Sequence, residues 1–168
     1  MTHDDWPGAI GQFLAADHRR LEILLDQATR VPDQIDPVPF AAFREGLLRH
    51  IGMEEKVLLP AATRARGGEP HPRAARLRLD HGAIAALLVP TPTPDLVATL
   101  RSVLETHDAV EEGPQGVYAD CDRLLAADVE ALLDELRRYP PVRVAPHHAS
   151  PFAHEHIKDA LARARAAW

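Results

Sequence analysis

Two stretches of this chain, His50-Ile-Gly-Met-Glu54-Glu55 and His107-Asp-Ala-Val-Glu111-Glu112, set an imidazole four residues ahead of a carboxylate. On a helix, residues at that spacing lie one above the other on the same face. That face is also apolar: Phe43, Leu47, His50, Glu54, Val57 and Ala61 recur at three- and four-residue steps, as do Leu96, Leu100, Val103, His107 and Glu111, the pattern of a core-facing stripe. An isolated carboxylate is costly to bury, so ionisable groups on such stripes require a partner or a metal ion. Two more histidines lie on stripes of their own, His18 among Leu14, Leu21, Leu25 and Ala28, and His81 among Leu77, Ile84 and Leu88.

Taken singly, each feature is ordinary. A lone core histidine is usually hydrogen-bonded, and a His-x3-Glu pair usually sits on a surface. The order is what carries information. Asp17-His18-Arg-Arg-Leu21-Glu-Ile-Leu24-Leu25 resembles Asp80-His81-Gly-Ala-Ile84-Ala-Ala-Leu87-Leu88, and each is followed by His-x3-Glu-Glu. The chain thus reads as two helical hairpins with the same polar residues in the same order. Four neutral imidazoles and two carboxylates exceed what one closed tetrahedral zinc site takes. They fill most of two octahedral shells if each carboxylate bridges two ions, and the bridging charge offsets repulsion between the cations. Mixed imidazole and carboxylate donors with open positions suit iron first and manganese next.

Helices must position these groups. The first is expected over about Ile10 to Arg30, after a loose lead-in over residues 1–8. A proline-rich loop, 31–39, precedes a second helix from near Phe40 that carries His50 and Glu54, with Pro60 kinking it or marking its last turns. Gly67 to Pro72 breaks the chain before a third helix from near Arg73, and Pro90 to Pro94 before a fourth opening at Pro94-Asp95. Gly113 to Gly116 interrupts the pattern. One further amphipathic helix is expected from Val117 to Arg138, stopped by Pro140-Pro141. An extended stretch then leads to Ser150 as N-cap and Pro151 as first residue of a terminal helix. No segment has the alternation of a strand. The fold class is all-α, an up-down antiparallel four-helix bundle with additional C-terminal helices.

The 168 residues suit one domain over 1–168, with a bundle core over about 10–125 and a helical extension over about 117–168. Net charge is -6 and the pI about 5.9, which argues against nucleic acid as a partner; the run Arg64, Arg66, Arg73, Arg76, Arg78 reads as a solvated face. Cys121 is the single cysteine, so no intrachain disulfide forms. The acidic N-terminus lacks the regions of a signal peptide, and no apolar run is long enough to span a bilayer. A cytoplasmic protein without membrane association is expected.

The histidine and His-x3-Glu pattern resembles the hemerythrin-like family, the HHE cation-binding domain, over roughly residues 10–125. The resemblance implies a four-helix bundle with a non-haem di-iron centre: His18 and His50 on one iron, His81 and His107 on the other, Glu54 and Glu111 bridging, and an oxo or hydroxo bridge from solvent. Manganese or zinc are alternatives. It implies binding or sensing of oxygen, nitric oxide, peroxide, or iron and redox state. The chain departs from the oxygen carriers, which have His-x3-His on the third helix where this one has Leu77 and Ala85 flanking His81, and His-x4-Asp on the fourth where this one has His107-x3-Glu111. Fewer histidines leave coordination positions open and disfavour reversible oxygen carriage. Glu112 is the x4 residue, but points about 100° around an ideal helix.

Two further function classes stay open, a metal-stapled helical interaction module without redox chemistry and a small di-iron oxidase or peroxidase. Ferritin-like Glu-x-x-His and a hydrolase nucleophile elbow are absent, and no catalytic residue is assigned. Glu22 and Glu55 read as surface residues. Tyr118 reaches the site only if the fourth helix continues through Gly113–Gly116. His147, His148, His154 and His156 read as structural or solvated, with His154 sharing a face with Ile157 and Leu161. All six proposed ligands precede Tyr139, so the tail beyond it is expected to be dispensable for metal binding.

Overall fold

A computed structural model of the chain describes residues 7–148 and 150–168, so most of the expected lead-in lies outside the described residues. Helix α1, Ala9–Ala28, has its first N–H groups capped from a distant segment: Asp122 accepts from Ile10 N at 2.8 Å and from Gly11 N at 3.1 Å. Helix α2, Pro37–Met53, starts earlier than the apolar pattern alone suggests. Asp36 accepts from Val38 N at 3.0 Å and Pro37 takes the first helical position, an N-terminus built from a cap and a preset φ.

Pro60 does not end this helix. A π-helical turn, Glu54–Leu58, links α2 to α3, Leu59–Ala65. Proline has no N–H to give the carbonyl four residues back and its ring crowds that carbonyl. Widening the preceding turn relieves both problems, and Leu59 N bonds to Glu54 O instead. Such π-turns are found mostly at functional sites, and this one begins at the first His-x3-Glu glutamate.

Helix α4 is Ala74–Leu87 and α5 is Pro94–Glu111, the latter capped by Thr93 Oγ1 accepting from Leu96 N at 3.3 Å. The single helix expected over 117–138 is instead α6, Val117–Leu124, a 3-10 turn, Ala126–Asp128, and α7, Val129–Arg138. Both α6 and α7 contact α1. The bend lets Val117, Tyr118, Cys121 and Leu125 share one core cluster with Leu132, Leu133 and Leu136, while Leu124 is left exposed. Helix α8, Pro151–Ala166, is capped by Ser150 as expected, with Ala153 N donating to its Oγ at 3.2 Å. It packs along α4 and buries Ile157, Ala160 and Ala164.

Two apolar clusters make up the core. One gathers Ile10, Leu14, Met53, Leu77 and Leu136; the other gathers Leu21, Leu47, Ile84, Leu100 and Val103. On α1, α2 and α4 the changeover from one cluster to the other falls at a histidine: Leu14–His18–Leu21, Leu47–His50–Met53 and Leu77–His81–Ile84. On α5, His107 stands between Val103 of the second cluster and Val110 at the edge of the first. A polar layer therefore separates two oily ones. The described residues are all-helical or irregular, with no strand, and no helix among them is long and apolar enough to cross a membrane.

Candidate metal centre

The six residues singled out by periodicity converge. Their donor atoms form two quartets, His18, His50, Glu54, Glu111 and His81, His107, Glu54, Glu111, each within 4.8 Å of one another. Donors bound at about 2.1 Å on opposite sides of one cation span roughly 4 Å, so little adjustment is needed. All six are buried, Glu54 at 1% and Glu111 at 0% exposure. The glutamates stand between the halves and divide their oxygens. Glu54 Oε1 lies 3.3 Å from His50 Nε2 and its Oε2 lies 3.1 Å from His81 Nε2. Glu111 Oε2 lies 3.5 Å from His18 Nε2 and its Oε1 lies 3.2 Å from His107 Nε2. In the second quartet Glu54 Oε2, Glu111 Oε1 and His81 Nε2 have no hydrogen-bond partner. Buried polar atoms without partners are rare and costly, and a cation fits this set of orphaned donors.

Each imidazole turns Nε2 inward and Nδ1 outward, toward a carboxylate. His18 Nδ1 is 2.8 Å from Glu112, His50 Nδ1 2.9 Å from Asp17 and His81 Nδ1 2.8 Å from Glu55. His107 Nδ1 faces Asp80 Oδ2 at a longer 3.6 Å. This is the arrangement that fixes tautomer and ring orientation in metal-ligating histidines. It also follows the sequence repeat. Asp17 and Asp80 each precede one histidine and serve the next histidine of the same hairpin, whereas Glu55 and Glu112 serve the first histidine of the other hairpin. Glu55 is thus not the surface residue expected. Nor does Glu112 replace Glu111: it follows the end of α5 with an extended backbone, which carries its side chain to His18. Glu22 is exposed.

Tyr118 reaches the centre by the opposite route from the one its position suggested. The fourth helix does not continue; it ends at Glu111, the chain turns through Gly113 at φ 98°, and α6 returns the ring. The phenol oxygen lies 2.5 Å from Glu54 Oε1, 2.9 Å from Glu111 Oε2, 3.2 Å from His18 Nε2 and 3.3 Å from His50 Nε2. One hydroxyl proton cannot serve both carboxylates; the oxygen is a fifth polar atom among the four of the first quartet, with no counterpart in the second, and the two halves differ.

Without a cation, protons on the imidazoles balance the buried Glu54 carboxylate. Burial would lower the His50 imidazole, but the Glu54 carboxylate and the Asp17 hydrogen bond outweigh it and raise its pKa to about 10. Burial likewise opposes His81, which its hydrogen bonds to Glu54 and Glu55 raise to about 9. On the acid side the His18 hydrogen bond holds Glu112 at about 2. Burial would raise Asp17, but the hydrogen bond to His50 outweighs it and leaves it at about 2. Raised histidines give stability that is complete below their ordinary pKa of about 6.5 and lost as pH climbs through the folded-state value; depressed carboxylates give stability lost as pH falls. The chelated protein is therefore expected to lose thermal stability as pH rises from 7 to 10, and again as it falls from 4 toward 2. Saturating metal replaces the histidine protons and should flatten the alkaline limb. Melting temperatures across pH, with and without chelator, measure this; an alkaline limb unchanged by metal would show that the imidazoles are not where the cation binds.

A cleft of about 570 Å³ opens onto His18, His50 and His107. Leu21, Leu47, Ile51 and Leu104 line it, and Asp108 stands at the same cleft, its Oδ1 3.9 Å from His18 Nε2; burial pushes that carboxyl up from its ordinary value. A small molecule thus has a path to both quartets, between these apolar side chains and the charged ones of Arg19, Arg101, Glu105 and Glu112. Elsewhere, burial pushes the Cys121 thiol to about 12, which leaves no thiolate for nucleophilic chemistry. His147, His148, His154 and His156 are exposed and belong to neither quartet.

Neither a curated protein nor a solved structure matches the chain. The model of one family, described as the hemerythrin HHE cation binding domain, matches residues 10–138. That span contains all six quartet residues, their four outer carboxylates and Tyr118, and the chain belongs to the hemerythrin HHE cation-binding family.

Proposed function

We propose that this chain is a hemerythrin-type non-haem di-iron protein, one domain over 1–168, with α1, α2–α3, α4 and α5 as an up-down antiparallel four-helix bundle around two iron ions. It binds or senses oxygen, nitric oxide or peroxide. The observation that carries this reading is the sharing of Glu54 and Glu111, each of which offers one oxygen to each quartet. His18 and His50 would hold one ion, His81 and His107 the other. The irons would supply electron exchange and open positions for a small ligand. The protein's own residues do the rest. The four outer carboxylates orient the imidazoles, the two apolar clusters keep the six donors buried, and Asp108, whose carboxyl burial pushes up from its ordinary value, stands close to His18. Leu77 is fully packed in the core, so no histidine completes the second quartet, which favours a reactive or sensing site over oxygen carriage.

Metal analysis and an optical spectrum of the purified chain test this. Two irons per chain with ferric charge-transfer absorption are expected. The Tyr118 oxygen stands among the donors of the first quartet, so Tyr118→Phe should keep both irons and lose a visible phenolate band; an unchanged spectrum would show that the phenol is not a ligand. One colourless ion per chain would instead support the stapled module.

A further inference from the structure

On three corners of the centre the outer carboxylate is steadied by an exposed or half-exposed arginine: Arg19 on Glu112 and Arg20 on Asp17, each at 2.8 Å, and Arg78 on Glu55 at 3.2 Å. The fourth corner is built differently. Asp80 is fully buried. Its nearest arginine, Arg76, has Nε 3.8 Å from Oδ2, beyond hydrogen-bond reach. The Asp80 oxygen that is satisfied, Oδ1, accepts from the indole Nε1–H of Trp168 at 3.0 Å. Trp168 follows α8, the helix laid along α4. This corner is also the loose one. His107 Nδ1 is 3.6 Å from Asp80 Oδ2, whereas the other three contacts are 2.8–2.9 Å, and His107 Nδ1, Asp80 Oδ2 and Arg76 Nε all lack partners.

We infer that Trp168 is a positioning residue for His107: docking of α8 fixes the Asp80 carboxylate, Asp80 fixes the imidazole, and the His81–His107 half-site holds its cation tightly only while α8 is in place. The inference rests on the proposed reading of the quartets as cation sites. Asp80 has two oxygens and one rotamer to choose. With Oδ1 tied to the indole, Oδ2 is left facing Nδ1; without the indole, nothing within hydrogen-bond distance holds that rotamer. Outer partners of a metal-bound histidine are worth about 10–100-fold in affinity. Helix α8 packs chiefly on one neighbour, α4, through Ile157, Ala160 and Ala164, and an element docked on one side can open locally without global unfolding. By reciprocity, a cation in this half-site must strengthen the docking of α8 by the same factor. The tail beyond Tyr139 is then not dispensable for metal, contrary to what ligand positions alone suggest.

Anaerobic titration with Fe(II) tests this in the full chain, the Trp168→Phe variant, which keeps the ring but not the donor, and Asp80→Asn. The unmodified chain should take two ions. Trp168→Phe should keep the first and weaken the second by roughly tenfold, the lower end of the outer-partner range, with an unchanged circular dichroism spectrum. Trp168 fluorescence, read in a Trp6→Phe background, should change with the second equivalent and not the first, and Asp80→Asn should abolish that change. A Trp168→Phe variant that binds both ions as the unmodified chain does, or loses both equally, overturns the inference while leaving the di-iron reading standing. An unmodified chain that fails to take two ions overturns both.

Discussion

Glu54→Gln is expected to empty both half-sites rather than one. Glutamine keeps the shape of the side chain and an oxygen to accept from Tyr118, so the bundle should fold, but it removes the charge that both quartets share. A neutral amide cannot bridge two cations, and its nitrogen would face either His50 or His81. The loss should exceed the roughly 100-fold seen for outer partners at each ion. Stabilisation by metal goes with it, since a ligand at a hundred times its Kd adds about 2.7 kcal/mol. His107→Ala is the contrast: it removes a donor from one quartet only and should cost the second ion while sparing the first. Metal analysis after gel filtration, with melting curves in chelator and in metal, separates the two variants. If Glu54→Gln lost a single ion, the carboxylate would be terminal and the paired centre would be wrong.

The six quartet residues were legible because a helix displays its buried face as a period. Each histidine stands where leucines of the same stripe belong, and the repeat doubles the signal. The four outer carboxylates were written beside them, as Asp17-His18, Glu54-Glu55, Asp80-His81 and Glu111-Glu112, yet were unreadable as such. A residue next to a ligand sits about 100° around its own helix, which on one helix looks like surface. Its partner is a histidine on a different helix, and no single-helix period carries that information. Tyr118 was hidden by a related difficulty. Its place depends on a turn that ends α5, and the glycines there mark only an interruption, not the direction in which the chain leaves. Trp168 contacts Asp80 across 88 residues, with no pattern linking them. The Pro60 position was visible, but periodicity alone does not distinguish a kink from a π-turn that lets the helix continue.

Gly116→Ala is expected to damage the centre from outside it. Gly116 closes the turn between α5 and α6, its N–H bonded to Gly113 O at 3.0 Å. Its backbone is extended, with φ -77° and ψ 172°, so conformational freedom is not what requires glycine there. Space is. A Cβ would press into Glu111 O and lie 2.5 Å from Glu112 O, and carbonyls of the main chain cannot rotate aside as a side chain can. The turn itself must shift. It carries Glu111, which belongs to both quartets, on one side and Tyr118, whose hydroxyl bonds to Glu54 and Glu111, on the other. Overpacking of this kind costs about 1–3 kcal/mol, and the displacement should weaken metal binding by at least about tenfold, as loss of an outer partner does. Gly52→Ala supplies the control. Its Cβ would meet the Tyr139 ring, 2.5 Å from the hydroxyl, a side chain that packs on the apolar cluster and not at the turn carrying Glu111, so it should lower stability and leave two ions bound. Unfolding in denaturant and Fe(II) titration of both variants decide the matter. Equal losses of stability with full metal affinity retained in Gly116→Ala would mean that this turn does not place Glu111 and Tyr118.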